Sequence, residues 1–242
     1  MLNTIRNHLT PINESGYGII IIVALATLIC FMFFDKIAWL SLFTLLFCLY
    51  FFRDPERVTP EGNYVISPAD GKVVAITTTK APAELGLGDK EFTRVSIFLS
   101  VVDVHVNRIP VTGTVKKLYY HPGKFLNAEL DKASKDNERQ SVLIETEDKK
   151  HFALVQIAGL IARRIVCDLD EGQKVQAGVR YGIIKFGSRV DVYLPTDIRP
   201  KVLVGQTAIG GETIIADLTS SDVKEAKKLP ASKKISTKEL ES

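Results

Sequence analysis

With 242 residues, 46% of them hydrophobic, the chain can form one large or two small domains around a real core. Its formal net charge of +3 gives no reason to expect nucleic acid as a partner. Cys30 and Cys48 lie in apolar runs and Cys167 stands alone, without CxxC or paired spacing. That usage disfavours a disulfide framework or a cysteine zinc site and fits a reducing compartment.

Hydrophobicity is concentrated at the N-terminal end. Gly18–Phe34 (GIIIIVALATLICFMFF) is uncharged, Asp35-Lys36 interrupts, and Ile37–Phe52 (IAWLSLFTLLFCLYFF) is uncharged again. Each run falls slightly short of the ~20 residues a bilayer-crossing helix needs. A cleaved signal peptide fits poorly, because the apolar stretch is long, repeated and followed by no small-residue cleavage site. Neither run has a polar face, which argues against two core helices of a soluble protein. Arg6 precedes the runs and Arg53 and Arg57 follow them, which places both outer ends on the cytoplasmic side. The pattern predicts a helical hairpin that dips into or just across a membrane.

From Glu61 onward the pattern changes to short alternating segments punctuated by glycine and proline. Strands are predicted over Lys72–Thr77, Thr93–Leu99, Gly113–Tyr120, Ser141–Thr146, His151–Ala158, Arg163–Asp168, Arg180–Phe186, Arg189–Leu194 and Thr213–Leu218. Their number and spacing predict a mainly β domain, a sandwich or barrel. Glu171–Gly178 (EGQKVQAG) and Val204–Gly211 (VGQTAIGG) echo each other, as turns do in barrel-sandwich folds of the biotinyl and lipoyl kind. Three parts are expected: 1–57 as hairpin and flanks, 58–218 as the β domain, and 219–242 as a polar tail rich in Lys, Ser and Glu.

Several polar groups stand out. Asp70 sits in a turn, Ser67-Pro68-Ala69-Asp70-Gly71, just before a strand. In an extended Val102–Pro110, the side chains of Asp103, His105 and Asn107 share one face, so a carboxylate and an imidazole can share a pocket. The four histidines, His8, His105, His121 and His151, lack metal-ligand spacing, and no metal site is expected. Asp131-Lys132-Ala133 matches the core of a lipoylation motif, but the charged run after it is no returning strand. The segment Lys185–Pro195 (KFGSRVDVYLP) alternates like a strand and yet opens on Gly187-Ser188. A glycine there is either a bulge beside a polar residue or a point of close access to the backbone.

Five segments in order, FFRDPER (Phe51–Arg57), SPADG (Ser67–Gly71), VDVHVNRIPVTG (Val102–Gly113), HPGKFLNAELDKASKDNER (His121–Arg139) and IKFGSRVDVYLP (Ile184–Pro195), closely resemble the short bacterial type of phosphatidylserine decarboxylase proenzyme. The resemblance implies self-cleavage at Gly187-Ser188, with Ser188 becoming a pyruvoyl group, a covalent cofactor, at the head of a small α chain that stays with its β chain as a heterodimer, open to further oligomerisation. The Ser188 hydroxyl attacks the Gly187 carbonyl, the resulting ester leaves by β-elimination, and hydrolysis yields the ketone and ammonia. Asp70 and His105 are the candidate bases, with Asp103 as an orienting group. The ketone condenses with the amine of phosphatidylserine and serves as the electron sink when carbon dioxide leaves, with His105 as a candidate proton donor. The resemblance also implies a bacterial inner membrane location with the catalytic domain on the cytoplasmic side, and neither metal nor external cofactor.

The chain departs from longer family members at two places. Arg108 stands where they carry a second histidine of the serine-activating relay, and Arg189 stands where they carry threonine after Gly-Ser. Arginine stays protonated and cannot act as a base. Arg108, Lys124 and Arg139 are candidates for holding the substrate phosphate or carboxylate instead. The alternative from another class is a non-catalytic, membrane-anchored barrel-sandwich adaptor or carrier. It accounts for the hairpin and the glycine turns but not for Gly187-Ser188 beside the Asp and His motifs.

Overall fold

The structure is a computed structural model describing residues 10–125, 136–159, 164–185 and 188–219. The expected tail from residue 220, the Asp131-Lys132-Ala133 motif, Arg6, His8 and Gly187 lie outside the described residues.

The two apolar runs form the expected pair of helices, α1 (Tyr17–Phe33) and α2 (Asp35–Phe51), joined at Phe34. A short 3-10 turn over Glu14–Gly16, capped by the Asn13 side chain, lengthens the first into a 20-residue apolar helix over Glu14–Phe33. At 1.5 Å per residue that reaches about 30 Å, the thickness of a bilayer core. Thr27 Oγ1 donates to the carbonyls of Val23 on its own helix and Ser41 on the other, and Phe31 meets Trp39 edge to face. Elsewhere the hairpin turns its large apolar side chains outward, with Ile22, Phe33, Trp39 and Phe43 each about two-thirds exposed. At its root the entering and leaving chains pair: Asn13 N–H donates to the Phe52 carbonyl and Asp54 N–H to the Pro11 carbonyl.

The remainder is mainly β, as expected. An eight-stranded antiparallel sheet curls into a half barrel. Its strands are β2 (Gly71–Lys80), β3 (Glu91–Leu99), β5 (Gly113–His121), β6 (Arg139–Glu145), β7 (His151–Ala158), β9 (Lys174–Val175), β11 (Ser188–Pro195) and β12 (Thr207–Ala208), in spatial order β12-β2-β3-β11-β7-β6-β5-β9. A three-stranded sheet of β4 (Val106–Arg108), β10 (Arg180–Lys185) and β8 (Arg164–Cys167), in the order β4-β10-β8, and the pair β1 (Tyr64–Ile66) with β13 (Ile214–Asp217) complete it. The main core, including Val95, Ile97, Val142, Phe152, Leu154, Val192 and Leu194, fills the inside of the curl. Each large apolar side chain so buried contributes about 1.5–3 kcal/mol.

The echoing octapeptides occupy equivalent places. One carries β9 along the start of β5 and the other carries β12 along the start of β2, forming the two edges of the large sheet. Gly172 N–H donates to the Val115 carbonyl and Gly205 N–H to the Val73 carbonyl, each at 2.7 Å. Gly172, Gly178, Gly205 and Gly211 all have φ between 82° and 92°, a left-handed conformation that only glycine adopts cheaply. Gly178 N–H donates to the Ile109 carbonyl and Gly211 N–H to the Ser67 carbonyl, so Ile109-Pro110-Val111-Thr112-Gly113 and Ser67-Pro68-Ala69-Asp70-Gly71 hold matching places beside the two octapeptides. The Thr112 hydroxyl accepts from Ala177 N–H where the Asp70 carboxylate accepts from Gly210 N–H. Asp70 therefore holds a structural turn position in which one half of the repeat keeps a neutral hydroxyl and the other a carboxylate.

The predicted strands are present with ends shifted by up to three residues, and four short ones, β1, β4, β9 and β12, have too few residues to alternate visibly. The extended Val102–Pro110 is corrected. Residues 100–103 form a turn and only Val106–Arg108 is strand, so Asp103, His105 and Asn107 do not line one strand face.

Candidate active site

The site gathers around Ser188. This residue is the first of β11, the central strand of the large sheet, and is held between Leu99 of β3 and Ala158 of β7. All eight residues of β11 are buried. The Ser188 side chain is fully enclosed, and its Oγ has no hydrogen-bond partner among the described residues. An unpaired buried hydroxyl costs stability, and such a cost persists where the group has chemistry to perform.

Asp70, Asp103 and His105 converge on the same end of β3. Ser100 follows Leu99, and its N–H donates to the Asp103 carboxylate at 2.8 Å. The Asp103 backbone carbonyl lies 2.9 Å from His105 Nδ1. A carbonyl can only accept, so Nδ1 carries the ring proton and Nε2 is the acceptor nitrogen. The imidazole is fully buried and stacks on Phe51 with ring centroids 4.4 Å apart. Burial pushes its pKa down to about 4, against the opposing hydrogen bond and charge of Asp103, so the ring is neutral at physiological pH. The His105 carbonyl accepts from Ile184 N–H at 3.3 Å. Ile184 packs with Ala69, Leu99, Ala158 and Val190, a cluster that includes both cross-strand partners of Ser188.

Asp70 lies just before Gly71, where a Cβ would sit 2.1 Å from the Phe98 carbonyl oxygen; only glycine lets this turn press against β3. Arg57 donates to Asp70 Oδ2 and Gly210 N–H to Oδ1, both at 2.7 Å. Burial nevertheless raises the Asp70 pKa, outweighing the Gly210 bond and Arg57, and the nearby Asp103 charge adds to the rise. The result is a carboxylate held in place whose charged form is disfavoured by burial.

The substrate-binding candidates separate. Arg108 is enclosed: it donates to the carbonyls of Gly178 and Pro55 at 2.9 Å and meets Asp54 at 3.4 Å. Arg139 pairs with Glu84 at 2.9 Å on the face of the sheet opposite Ser188. Lys124 is exposed but close to the site, because its carbonyl accepts from Glu138 N–H, and the neighbouring Asn137 side chain donates to the Ala158 carbonyl. Arg189 is buried against Asp191, with Nε–Oδ1 at 2.8 Å and Nη2–Oδ2 at 3.0 Å. Sequence reading missed Arg57 and Asp54. Their motif FFRDPER is a strap: Asp54 pairs with Arg108 and Arg180, Glu56 with Arg180, and Arg57 with Asp70. Among the described residues there is no cluster able to hold a metal ion.

A family model for phosphatidylserine decarboxylase matches residues 44–216, a span that contains all five segments and every site residue above. The chain belongs to the phosphatidylserine decarboxylase family. It is 58% identical over 207 residues to the phosphatidylserine decarboxylase proenzyme of Rickettsia bellii (strain OSU 85-389), covering 85% of this chain and 90% of the relative. A proenzyme of the same description from Cereibacter sphaeroides (strain ATCC 17025 / ATH 2.4.3) is 48% identical over 224 residues, 92% of this chain and 97% of the relative. Membership in a family of decarboxylases overturns the adaptor reading.

Proposed function

We propose that this chain is a self-processing, membrane-associated enzyme that converts phosphatidylserine to phosphatidylethanolamine and carbon dioxide through a pyruvoyl group made from Ser188. The observation that carries the reading is the enclosed Ser188 Oγ at the head of β11, without a hydrogen-bond partner among the described residues and paired with Leu99 at the end of β3, where Asp103 sets the tautomer of a neutral imidazole. In self-cleavage His105 Nε2 takes the Ser188 hydroxyl proton as Oγ bonds to the Gly187 carbonyl carbon, and returns it to the Ser188 nitrogen as the peptide C–N bond breaks. Asp103 sets the ring through its carbonyl. Asp70, held by Arg57, is the carboxylate offered for the Ser188 Cα proton when the ester is eliminated. One water balances the whole change, which leaves a Gly187 carboxylate, a pyruvoyl group and ammonia.

The site suits that group. Ladders to β3 and β7 hold β11 on both sides, so a cut before Ser188 leaves the new terminus in place. The pyruvoyl ketone supplies an electron sink for the loss of carbon dioxide. With its pKa near 4, His105 serves as a base before it can serve as an acid, so any proton it donates after decarboxylation is one it has first collected. The apolar hairpin (1–57) keeps the catalytic domain (58–218) at the cytoplasmic face of the inner membrane, where the acyl chains of the substrate remain in lipid.

Intact mass of the purified protein tests the reading. Two chains are expected, a β chain ending at Gly187 and an α chain of 242 − 187 = 55 residues lacking a terminal amine. Ser188→Ala should fold, stay one chain and release no carbon dioxide. Decarboxylation by Ser188→Ala would falsify the pyruvoyl assignment.

A further inference from the structure

Of the basic residues first expected to hold the substrate, Arg108 and Arg139 are paired with carboxylates, whereas a different pair is not. Lys185 of β10 lies directly across from Arg164 of β8. Like charges opposite each other in an antiparallel pair repel, and sheets avoid the arrangement unless something lies between them. Among the described residues neither side chain pairs with a carboxylate. The Lys185 ammonium has three N–H groups and donates one to a neutral acceptor, the Ser15 carbonyl, at 3.1 Å. Burial, and after it the Arg164 charge, lowers the Lys185 pKa, as expected of a cation short of counter-charge.

The position of the pair suggests its counter-ion. Alternation along β10 and β8 puts Lys185 and Arg164 on the same face as Ile183 and Val166, which are also cross-strand partners. Ile183 and Val166 pack on Phe51, Phe52, Phe47 and Ile19 at the hairpin root. That face therefore runs from apolar to cationic where α1 begins, and the Lys185 ammonium lies 5.9 Å from the Phe52 ring centre. A lipid with its chains along the outside of the hairpin brings its head group to this level. Lys185 is also three residues before Ser188, at most about 10 Å along the chain. In phosphatidylserine four covalent bonds separate phosphorus from the reacting nitrogen.

We propose that Lys185 and Arg164 form the subsite for the phosphodiester of the phospholipid substrate. The proposal rests on the decarboxylase reading above. The pair anchors the phosphate at the lipid surface so that the serine amine points toward position 188, and the lipid anion relieves the Lys185–Arg164 repulsion. Charge-assisted contacts to an anion hold binding more than chemistry.

The test uses the full chain with dihexanoyl-phosphatidylserine below its critical micelle concentration. Lys185→Gln and Arg164→Gln should each raise KM about 10-fold with kcat within twofold of the parent, and Lys185→Arg should restore KM. Dihexanoyl-phosphatidylethanolamine keeps the phosphodiester and lacks the carboxylate, so its inhibition should weaken by the same factor. Self-cleavage, read by intact mass, should be complete in all variants. Sedimentation with phosphatidylglycerol–phosphatidylcholine vesicles should be unchanged. The proposal is overturned by an unchanged KM, by a fall in kcat alone, by weaker substrate binding with unaltered product inhibition (a carboxylate site), or by loss of vesicle binding with unchanged KM (adsorption only). A parent protein that remains one chain and releases no carbon dioxide defeats the decarboxylase reading instead. In that event calorimetric binding of the short-chain lipid, weaker to Lys185→Gln than to the parent, still decides the subsite.

Discussion

His105 shows how one residue couples stability to chemistry. Its folded pKa, near 4, lies below the ordinary value of 6.5, so the unfolded chain binds a proton that the folded chain refuses. Folding stability from this group is complete above pH 6.5 and is lost as pH falls from 6.5 toward 4. The loss approaches about 3 kcal/mol, at 1.36 kcal/mol per pH unit of difference. Detergent-solubilised Ser188→Ala protein, which keeps a single chain, is the material to use. Between pH 7 and pH 4.5 its urea midpoint should fall more than that of Ser188→Ala/His105→Gln. Parallel pH profiles for the two would mean that the imidazole is not buried in its neutral form. The same refusal of a proton keeps Nε2 available as a base across the physiological range, whereas burial raises the pKa of Asp70, so that it keeps a proton to higher pH than a surface carboxylate.

At the level of elements, strand β11 joins the legible and the illegible parts of the molecule. Its alternation of Val190, Val192 and Leu194 with Arg189, Asp191 and Tyr193 was plain in the sequence, as were the apolar helices and the glycine octapeptides, because each depends on neighbours within a few residues. The strap from Asp54 to Arg57 was not legible, since its ion pairs join residues from 13 to 126 positions apart and are fixed only when the β domain closes. Asp103, His105 and Asn107 were expected on one strand face, but residues 100–103 form a turn, so what relates Asp103 to His105 is the hydrogen bond from the ring to the Asp103 carbonyl and not strand alternation. Arg189, noted only as a departure from the family pattern, proves to be the largest fully enclosed side chain among the described residues, clamped to Asp191 on the face opposite Ser188. Removing one partner leaves a buried charge uncompensated, so Arg189→Met should lose about 3–5 kcal/mol. Arg189→Met/Asp191→Leu, which removes both charges, should recover at least half of that by urea unfolding. A double variant no more stable than the single one would show that the two charges do not compensate each other.

For the whole molecule, the arrangement of the hairpin root bears on the proposed membrane association. Ile12 bridges Arg53, Asn13 and Asp54 bond across the root, and Lys185 of the β domain reaches Ser15, so both ends of the hairpin and the catalytic domain share one level. Helix α1 with its preceding turn is long enough to cross a bilayer core, while α2, at 17 residues or about 25 Å, falls short of it. A hairpin with tied ends cannot leave them on opposite sides. Arg53 at the root, stacked 3.8 Å over the Tyr50 ring and bonded to the Val102 carbonyl, adds the cation and aromatic expected at an interface. Single cysteines at Glu14 and Glu61, both exposed, placed in a chain whose Cys30, Cys48 and Cys167 are replaced by serine, give the measurement. In sealed right-side-out vesicles an impermeant maleimide should label neither site, and after permeabilisation it should label both. Labelling of one site alone before permeabilisation would require the Ile12–Arg53 bridge to open and α1 to cross by itself, separating Ser15 from Lys185 and taking the hairpin root away from the His105 ring that Phe51 covers.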